Sequence, residues 1–364
     1  MDDGSQRHAR PNSDKRPTLA AVAALAGVSV STASLAFSGS GPVSGSTRDR
    51  VLAAAEQLRY AGPDARARSL RQGRSGIIAA VLEETVLQAF RDPVKIAFLD
   101  GIAQETATSG HALLLVPEVG DGPASGSITL ESTTMDAVVL LGCSPHVARS
   151  VAITRRRSIP MVALGSTPFS DVPSVTLDDR AATVTLARHL RSLGHRRVAV
   201  VTLPLEESRK RGPMTQQWES SATISTPVDR LAGAREVFPD LSVIAAGGSL
   251  VDEGLLAGRQ LLGVEAARRP TAIIAQSDLL AAGVIRAAQE LGLRIPADVS
   301  VVGFDGIRLD NVIAHDLTTM VQPAAEQGAT AGWSFPCSPT SGRKRPASPA
   351  SFISGTPPAR RRSS

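Results

Sequence analysis

The stretch TLAAVAALAGVSVSTASLAF, Thr18 to Phe37, decides how the first part of the chain is read. Thr18 is a short hydroxyl able to cap a helix in which Leu19, Val22, Ala23 and Ala26 recur at i, i+3, i+4 and i+7, one apolar face. Gly27 ends that helix, Val28 has the character of a buried turn residue, and Ser29 offers a second N-cap for a helix over Val30 to Phe37. Ala33, Ala36 and Phe37 are then its inward side. Gly39, Gly41 and Pro42 break the pattern, after which Ser44 caps a third helix with Val51, Leu52, Ala55 and Leu58 inside and Arg48, Arg50 and Arg59 outside. Two short helices about a glycine turn, the second opening on small polar residues, are what a helix-turn-helix requires. A three-helix cap with no nucleic-acid role has the same pattern. On the helix-turn-helix reading Val30, Ser31, Thr32 and Leu35 face base edges in the major groove, and Ser29, Thr32 and Ser44 are placed to bond phosphates. Thr18 and Ser34 complete the expected DNA-binding set in this region.

Working outward, the charge is uneven. Residues 1–76 hold 11 Lys/Arg against 6 Asp/Glu, and residues 333–364 hold six basic side chains and no acid, so the overall +5 leaves −6 for 77–332. A basic head before an acidic body fits a polyanion-binding module, and equally a solvated basic face. The 42% apolar and 20% charged composition over 364 residues excludes a disordered or fibrous chain and points to two or three domains. No apolar run reaches the roughly 18 to 20 residues of a membrane helix, and Asp2, Asp3, Arg7, Arg10 and Lys15 stand where a signal peptide needs apolar residues. The expected location is the cytoplasm, at the nucleoid, with no membrane partner. Cys143 and Cys337 form neither a zinc spacing nor a disulfide framework.

From Ile77 onward, short β-branched runs alternate with helical stretches, the signature of a parallel α/β sheet. Strands are expected at 77–82, 112–116, 137–141, 161–164, 197–202, 241–246, 272–276 and 300–304. Helices are expected at 181–193 and 279–291, closed by Gly194 and Gly292. So many strands exceed one small sheet, and two α/β subdomains with a ligand cleft between them are the expected architecture. The domain reading is a disordered leader (1–16), a helix-turn-helix headpiece (17–62), a hinge or linker (63–74), a two-lobed domain (75–332) and a disordered basic tail (333–364).

Thr18 to Ser34, followed by Pro42-Val-Ser, Thr47-Arg, Val51-Leu-Ala-Ala-Ala and Leu58-Arg-Tyr60, resembles the headpiece of the lactose-repressor (LacI/GalR) family of bacterial regulators. The likeness continues through Ala67-Arg-Ser-Leu-Arg-Gln-Gly-Arg74, Gly194-His-Arg-Arg-Val-Ala-Val, Arg230-Leu-Ala-Gly233, Ser300-Val-Val-Gly-Phe-Asp305 and Leu317-Thr-Thr, covering about 18 to 323. The resemblance implies an all-α helix-turn-helix headpiece on a periplasmic-binding-protein-like α/β sensor. It also implies a homodimer on a near-palindromic double-stranded DNA operator, and a small-molecule effector, a carbohydrate, in the cleft. By motif, Arg68 and Leu70 belong to the hinge, with Leu70 the wedge that opens the central base step; a linker leucine resting on the core is the other reading. Tyr60-Ala-Gly-Pro-Asp-Ala-Arg is one residue longer than the commonest family form. Family members often carry a long polar side chain near Val30, Ser31 and Leu35; the small and apolar groups here suit thymine methyls and shape readout rather than bidentate bonds to guanine. For the effector, the motif match points to Arg230, Ser277 and Asp305, then Phe90 and Asp179. Arg230 offers a fork for hydroxyls or a carboxylate, Asp305 accepts from hydroxyls and Ser277 does either. Each also has a structural reading: a surface salt bridge for Arg230, a cap of the following turn for Asp305, and a cap of the helix led by Asp278 for Ser277.

No phosphate loop occurs, and the carboxylate pairs Glu83-Glu84, Asp178-Asp179 and Glu206-Glu207 have no metal-binding histidines near them in sequence. His195, opening a strand, has a structural character. No catalytic residue, metal or cofactor is expected. Beyond Gly332, eight Ser, six Pro and six Lys/Arg cannot sustain a helix or bury a core, and the helix and last strand that the resemblance implies are not visible. A reading frame lost near residue 332 accounts for such text; a genuine basic tail is the alternative. The functional expectation is a ligand-responsive repressor of a sugar or related catabolic operon. A sugar-receptor-type binding protein and an inactive remnant of a repressor are the alternatives.

Overall fold

The computed structural model describes residues 17–39, 41–62, 73–118, 129–142, 147–165, 169–309, 316–333 and 351–353. The chain falls into two compact units, 1–75 and 76–364.

In the first unit, α1 (Leu19–Ala26), α2 (Val30–Ser38) and α3 (Gly45–Gln57) are capped by the three hydroxyls expected: Thr18 accepts from Ala21 N–H, Ser29 from Thr32 N–H and Ser44 from Thr47 N–H. Gly27 takes φ 65°, the left-handed conformation that closes α1 without a Cβ penalty. α1 and α2 are bent by 102° across that turn. Small residues make the core: Val22, Ala23, Ala33, Ala36, Val51, Ala54 and Ala55 are buried, and Phe37 meets Tyr60 edge-to-face at 5.6 Å.

The second unit holds two sheets. The first lobe contains β1 (Ile77–Leu82), β2 (Ala112–Pro117), β3 (Ala137–Leu141), β4 (Met161–Leu164) and β5 (Ser174–Val175). They lie in the order β2-β1-β3-β4-β5, all parallel. Between these strands run α4 (Val86–Ala89), α5 (Pro93–Thr108) and α6 (Ala148–Arg156). The chain enters the second lobe through α7 (Asp179–Ser192) and β6 (Val198–Thr202). It continues through β7 (Gly212–Pro213), α8 (Gln216–Ser220), α9 (Ser225–Val237), β8 (Ser242–Ala245) and α10 (Val251–Leu262). The last elements before the return crossing are β9 (Ala272–Ala275), α11 (Asp278–Glu290), β10 (Ser300–Asp305) and β11 (Thr318–Val321). With β12 (Ser351–Ile353) the order is β12-β11-β10-β9-β6-β8-β7, antiparallel only at the two edges. The expected strands are present, most within one residue of the bounds read from sequence. β5 and β7 have two residues each, too short to leave a periodicity.

Toward the C-terminus the structure describes one helix and one short strand that were not expected from the sequence. α12 (Ala324–Trp333) returns to the first lobe and lies on α5, and β12 pairs antiparallel with β11, Phe352 opposite Met320. α12 ends where the basic tail begins, residues 334–350 lie outside the described residues, and within 333–364 the described structure beyond Trp333 is β12. Three strand residues among prolines and glycines give no alternation, and α12 is rich in Ala and Gly rather than in large apolar side chains. Those small residues have a function: a Cβ on Gly101 of α5 would lie 1.9 Å from the Ala325 carbonyl oxygen, and one on Gly328 would lie 2.2 Å from that of Phe98. The two helices meet backbone to backbone. Gly328→Ala is expected to destabilise the second unit by about 1 to 3 kcal/mol, the usual range for overpacking, read as a lower urea midpoint with unchanged slope.

Candidate DNA-binding surface and effector cleft

On α2 the inward residues Ala33 and Ala36 are buried, while Ser29, Val30, Ser31 and Leu35 are exposed and Thr32 and Ser34 are half-buried. Val30, at half exposure in the first turn, is the large apolar group that helix presents most openly after the cap. The Ser29 hydroxyl lies 2.8 Å from both the Ser31 and Thr32 hydroxyls, and Ser44 lies 2.8 Å from that of Thr47. These are two clusters of hydroxyl and N–H groups at helix starts, the arrangement that meets phosphate oxygens. Leu35 is partly committed elsewhere: a Cβ on Gly41 would lie 2.8 Å from its Cδ2. Thr18 and Ser44 are exposed at their caps. Arg68 and Leu70 lie outside the described residues.

In the second unit a cavity of about 290 Å³ lies between the lobes, lined by strand ends and helix starts, where an α/β sheet places ligand groups. Asp179, Arg230, Ser277 and Asp305 all line it. Phe90 does not. It caps the end of α4 with a half-exposed ring, and its neighbours Gln88, Arg91 and Asp92 reach the cavity instead.

Arg230 is 4% exposed. Its Nε donates to Asp179 Oδ1 at 2.7 Å, its Nη1 to the Gln276 carbonyl, and Asp305 Oδ1 stands 3.9 Å away. The guanidinium stacks over Phe304, 3.5 Å from the ring centroid. The geometry follows from the motif. Gly233 lies one turn after Arg230, and a Cβ there would sit 2.4 Å from the Arg180 carbonyl oxygen. Only glycine lets α9 approach the start of α7 closely enough for Arg230 to reach Asp179. The pair is buried, so the surface salt-bridge reading of Arg230 does not hold.

Two alternatives read from sequence are also resolved. Ser277 does cap its helix, accepting from Leu280 N–H at 3.2 Å, and it accepts from the Ser249 hydroxyl at 2.9 Å as well. Asp305 does not cap the turn that follows it. That is done by Asp278, whose Oδ2 accepts from Gly306 and Ile307 N–H at 2.7 and 2.9 Å and whose Oδ1 accepts from the Thr319 hydroxyl at 2.6 Å. A Cβ on Gly303 would lie 2.1 Å from that Oδ1. Asp305 itself sits at φ 124°, a conformation L-residues rarely adopt, and accepts from Gln322 Nε2 at 2.9 Å. Burial pushes the Asp278 carboxyl up to about 6 against its hydrogen bonds and the Arg230 charge. Burial likewise holds Asp305 well above the ordinary range, with Arg230 pulling the other way.

Sequence reasoning missed Gln276, which it assigned to a strand end. Its side chain accepts from Leu203 N–H and donates to the Pro227 carbonyl, tying the loop after β6 to the first turn of α9. It missed Gln322 and Gln327 as well, which line the cavity from the return crossing. Polar residues just past the carboxyl ends of strands were the available signal for Gln276 and Gln322. His195 is buried, its Nδ1 3.0 Å from the Thr271 hydroxyl, a structural place as expected. Among the described residues no His, Cys, Asp and Glu cluster has the arrangement of a metal site, and no single helix is long and apolar enough to cross a membrane.

Two family descriptions match the chain: bacterial regulatory proteins of the lacI family over residues 18–62, and a periplasmic binding protein-like domain over 187–333. An HTH-type transcriptional regulator of Mycobacterium tuberculosis is 32% identical over 331 residues, 88% of this chain and 91% of that protein. The HTH-type transcriptional regulator IpsA of Corynebacterium glutamicum is 32% identical over 86% of this chain and 89% of its own length. The crystal structure of a LacI-family transcriptional regulator from Corynebacterium glutamicum superposes with a TM-score of 0.65 at 26% identity, covering 95% of this chain and 100% of that one. The chain belongs to the LacI family of bacterial transcriptional regulators: it is a DNA-binding regulator with an effector-binding type of domain, and not an enzyme.

Proposed function

We propose that this regulator is an effector-responsive repressor of a carbohydrate or related catabolic operon, acting as a homodimer on a near-palindromic operator in the nucleoid. The observation that carries the reading is the pairing of an exposed, hydroxyl-capped α2 face in one unit with a buried Arg230–Asp179 pair lining a cavity in the other. The first has the polarity and size to enter a major groove. The second provides both donors and acceptors for hydroxyls in a space suited to a small molecule. Residues 18–62 distinguish this reading from a transport receptor, which needs no such head. In the hinge, Leu70 serves as the minor-groove wedge, flanked by Arg68. Effector binding and operator binding are coupled by about 1 to 3 kcal/mol, as is usual between linked sites.

Selection of bound duplexes from a random pool, followed by titration at two salt concentrations, tests the DNA reading. A two-fold-related motif that keeps its advantage at high salt is expected; a steep salt slope shared by every duplex overturns it. Val30→Ala is expected to weaken the selected duplex by about 1 kcal/mol, at the lower end of a single base-pair mismatch, and to leave the salt slope of nonspecific binding unchanged. Arg230→Ala is expected to abolish effector-induced release of the operator and to destabilise the second unit by about 3 to 5 kcal/mol, because it strands buried carboxylates. Chemical denaturation reads the stability loss, and operator binding without effector shows that the headpiece still works.

A further inference from the structure

The chain passes from the first unit to the second at Ser75–Gly76, and glycine is the residue least able to fix a direction there. Gly76 takes φ 71°, and Gly73, three residues earlier, takes φ 63°. A Cβ on either would meet nothing within 4 Å, so side-chain packing does not hold them. Hydrogen bonds hold Gly76 instead. Its N–H donates to Asp136 Oδ2 at 2.8 Å, and its carbonyl accepts from Ala112 N–H at 2.8 Å. A residue that could swivel is thereby clamped at both of its polar groups.

The side-chain bond is additional to what the sheet requires. β1 and β3 are already joined ahead of their first pair by a main-chain bond, Asp136 N–H to the Ile77 carbonyl at 2.8 Å. At the equivalent place between β3 and β4 the link is also a main-chain one, Val138 N–H to the Pro160 carbonyl at 3.0 Å. On Gly76 a half-buried carboxylate adds a charge-assisted bond, of the stronger kind, from sixty residues away in sequence.

The two strands that Asp136 ties together at one end line the cavity at the other. β1 continues into Glu83 and Glu84, β3 ends on Leu141 and continues into Gly142, and all four residues line the cavity. Their register is unbroken from Ile78 opposite Ala137 to Leu82 opposite Leu141. Ile77–Leu82 spans about 20 Å at the usual rise of a strand. At the cavity end Glu83 lies against Gly142, where a Cβ would be 2.0 Å from its Cδ. β1 is flanked by β2 and β3 and buried from Ile78 to Leu82, so a shift at the cavity end meets close packing all the way to Gly76.

We propose that Asp136 is a positioning residue for the coupling between the cavity and DNA: its carboxylate locks Gly76, so that the β1–β3 pair and the chain leaving it move as one piece. This rests on the coupled, effector-responsive reading given above and adds to it the residue at which the second unit grips the connecting chain.

Coupling between sites is reciprocal, so the test is made from the DNA side, with the duplex selected as described above as the ligand. Hydrogen exchange of the full-length parent, Asp136→Ala, Asp136→Asn and Gly76→Ala is followed by mass spectrometry with and without that duplex. In the parent the duplex is expected to change exchange in peptides over 80–86 and 138–142 by about fivefold or more. Asp136→Ala, and Gly76→Ala, which puts a side chain on a left-handed residue, are expected to bind the duplex and lose that change. Asp136→Asn, which keeps an oxygen acceptor at the same reach, is expected to retain it. Exchange in α11, in the other lobe, is expected to stay at the parental value in every variant, which a general loosening of the fold would not permit. A response kept in Asp136→Ala, or lost in Asp136→Asn, overturns the role of the bond, and faster exchange in α11 of Asp136→Ala overturns it in favour of a purely structural one. Absence of any response in the parent, when it does bind the duplex, overturns the coupled reading itself, a result distinct from the others.

Discussion

The buried contact between Arg230 and Asp179 is the constraint around which the second unit is arranged. A guanidinium so far from solvent is tolerable only where its charge is met and its N–H groups are engaged. The chain satisfies this from separate elements: a carboxylate at the start of α7, a main-chain carbonyl at Gln276, a second carboxylate at Asp305, and the face of Phe304 beneath. Each demand propagates outward. Reaching Asp179 requires the close approach of α9 and α7 at Gly233; holding Asp305 at its unusual φ requires the Asp278 carboxylate to gather the N–H groups of Gly306 and Ile307; and seating Asp278 requires that position 303 have no side chain. What looks in the sequence like scattered identity, Arg230-Leu-Ala-Gly233 and Val301-Val-Gly-Phe-Asp305, is one set of contacts.

Glycine is used in the same way at other crossings. A Cβ on Gly254 would meet the Leu280 carbonyl oxygen at 2.2 Å, and one on Gly283 the Val251 carbonyl oxygen at 2.1 Å, so α10 and α11 also touch at the backbone. With 3% aromatic residues overall, the chain fills its interior by bringing main chains close rather than by filling space between them with rings. The headpiece, with its alanine-rich core, is built on the same plan.

The parts of the fold with a period were legible. The three hydroxyl caps, the αL glycine after α1 and the β-branched runs of the two sheets all leave a pattern in the residues, because local hydrogen bonding and burial on one face dictate them. Four of the five expected cleft residues come together, since strand ends are where such side chains converge. Phe90 lies off the cavity lining, and a motif match carries no information about which side of a four-residue helix the ring after it takes. Gln327 was invisible because its environment is made by α5, more than two hundred residues earlier in the chain, and by the cavity itself. The helix at 324–333 was not read because a search for large apolar residues does not see a helix whose packing depends on small ones.

The return of α12 to α5 has a consequence for synthesis. More than two hundred further residues must leave the ribosome after α5 before the first lobe can close this face, so a lobe whose five strands emerge early waits, with a backbone groove open along α5, for a segment made much later. Pairings so distant in sequence form slowly, and until they do the nascent chain presents a surface that a chaperone would cover.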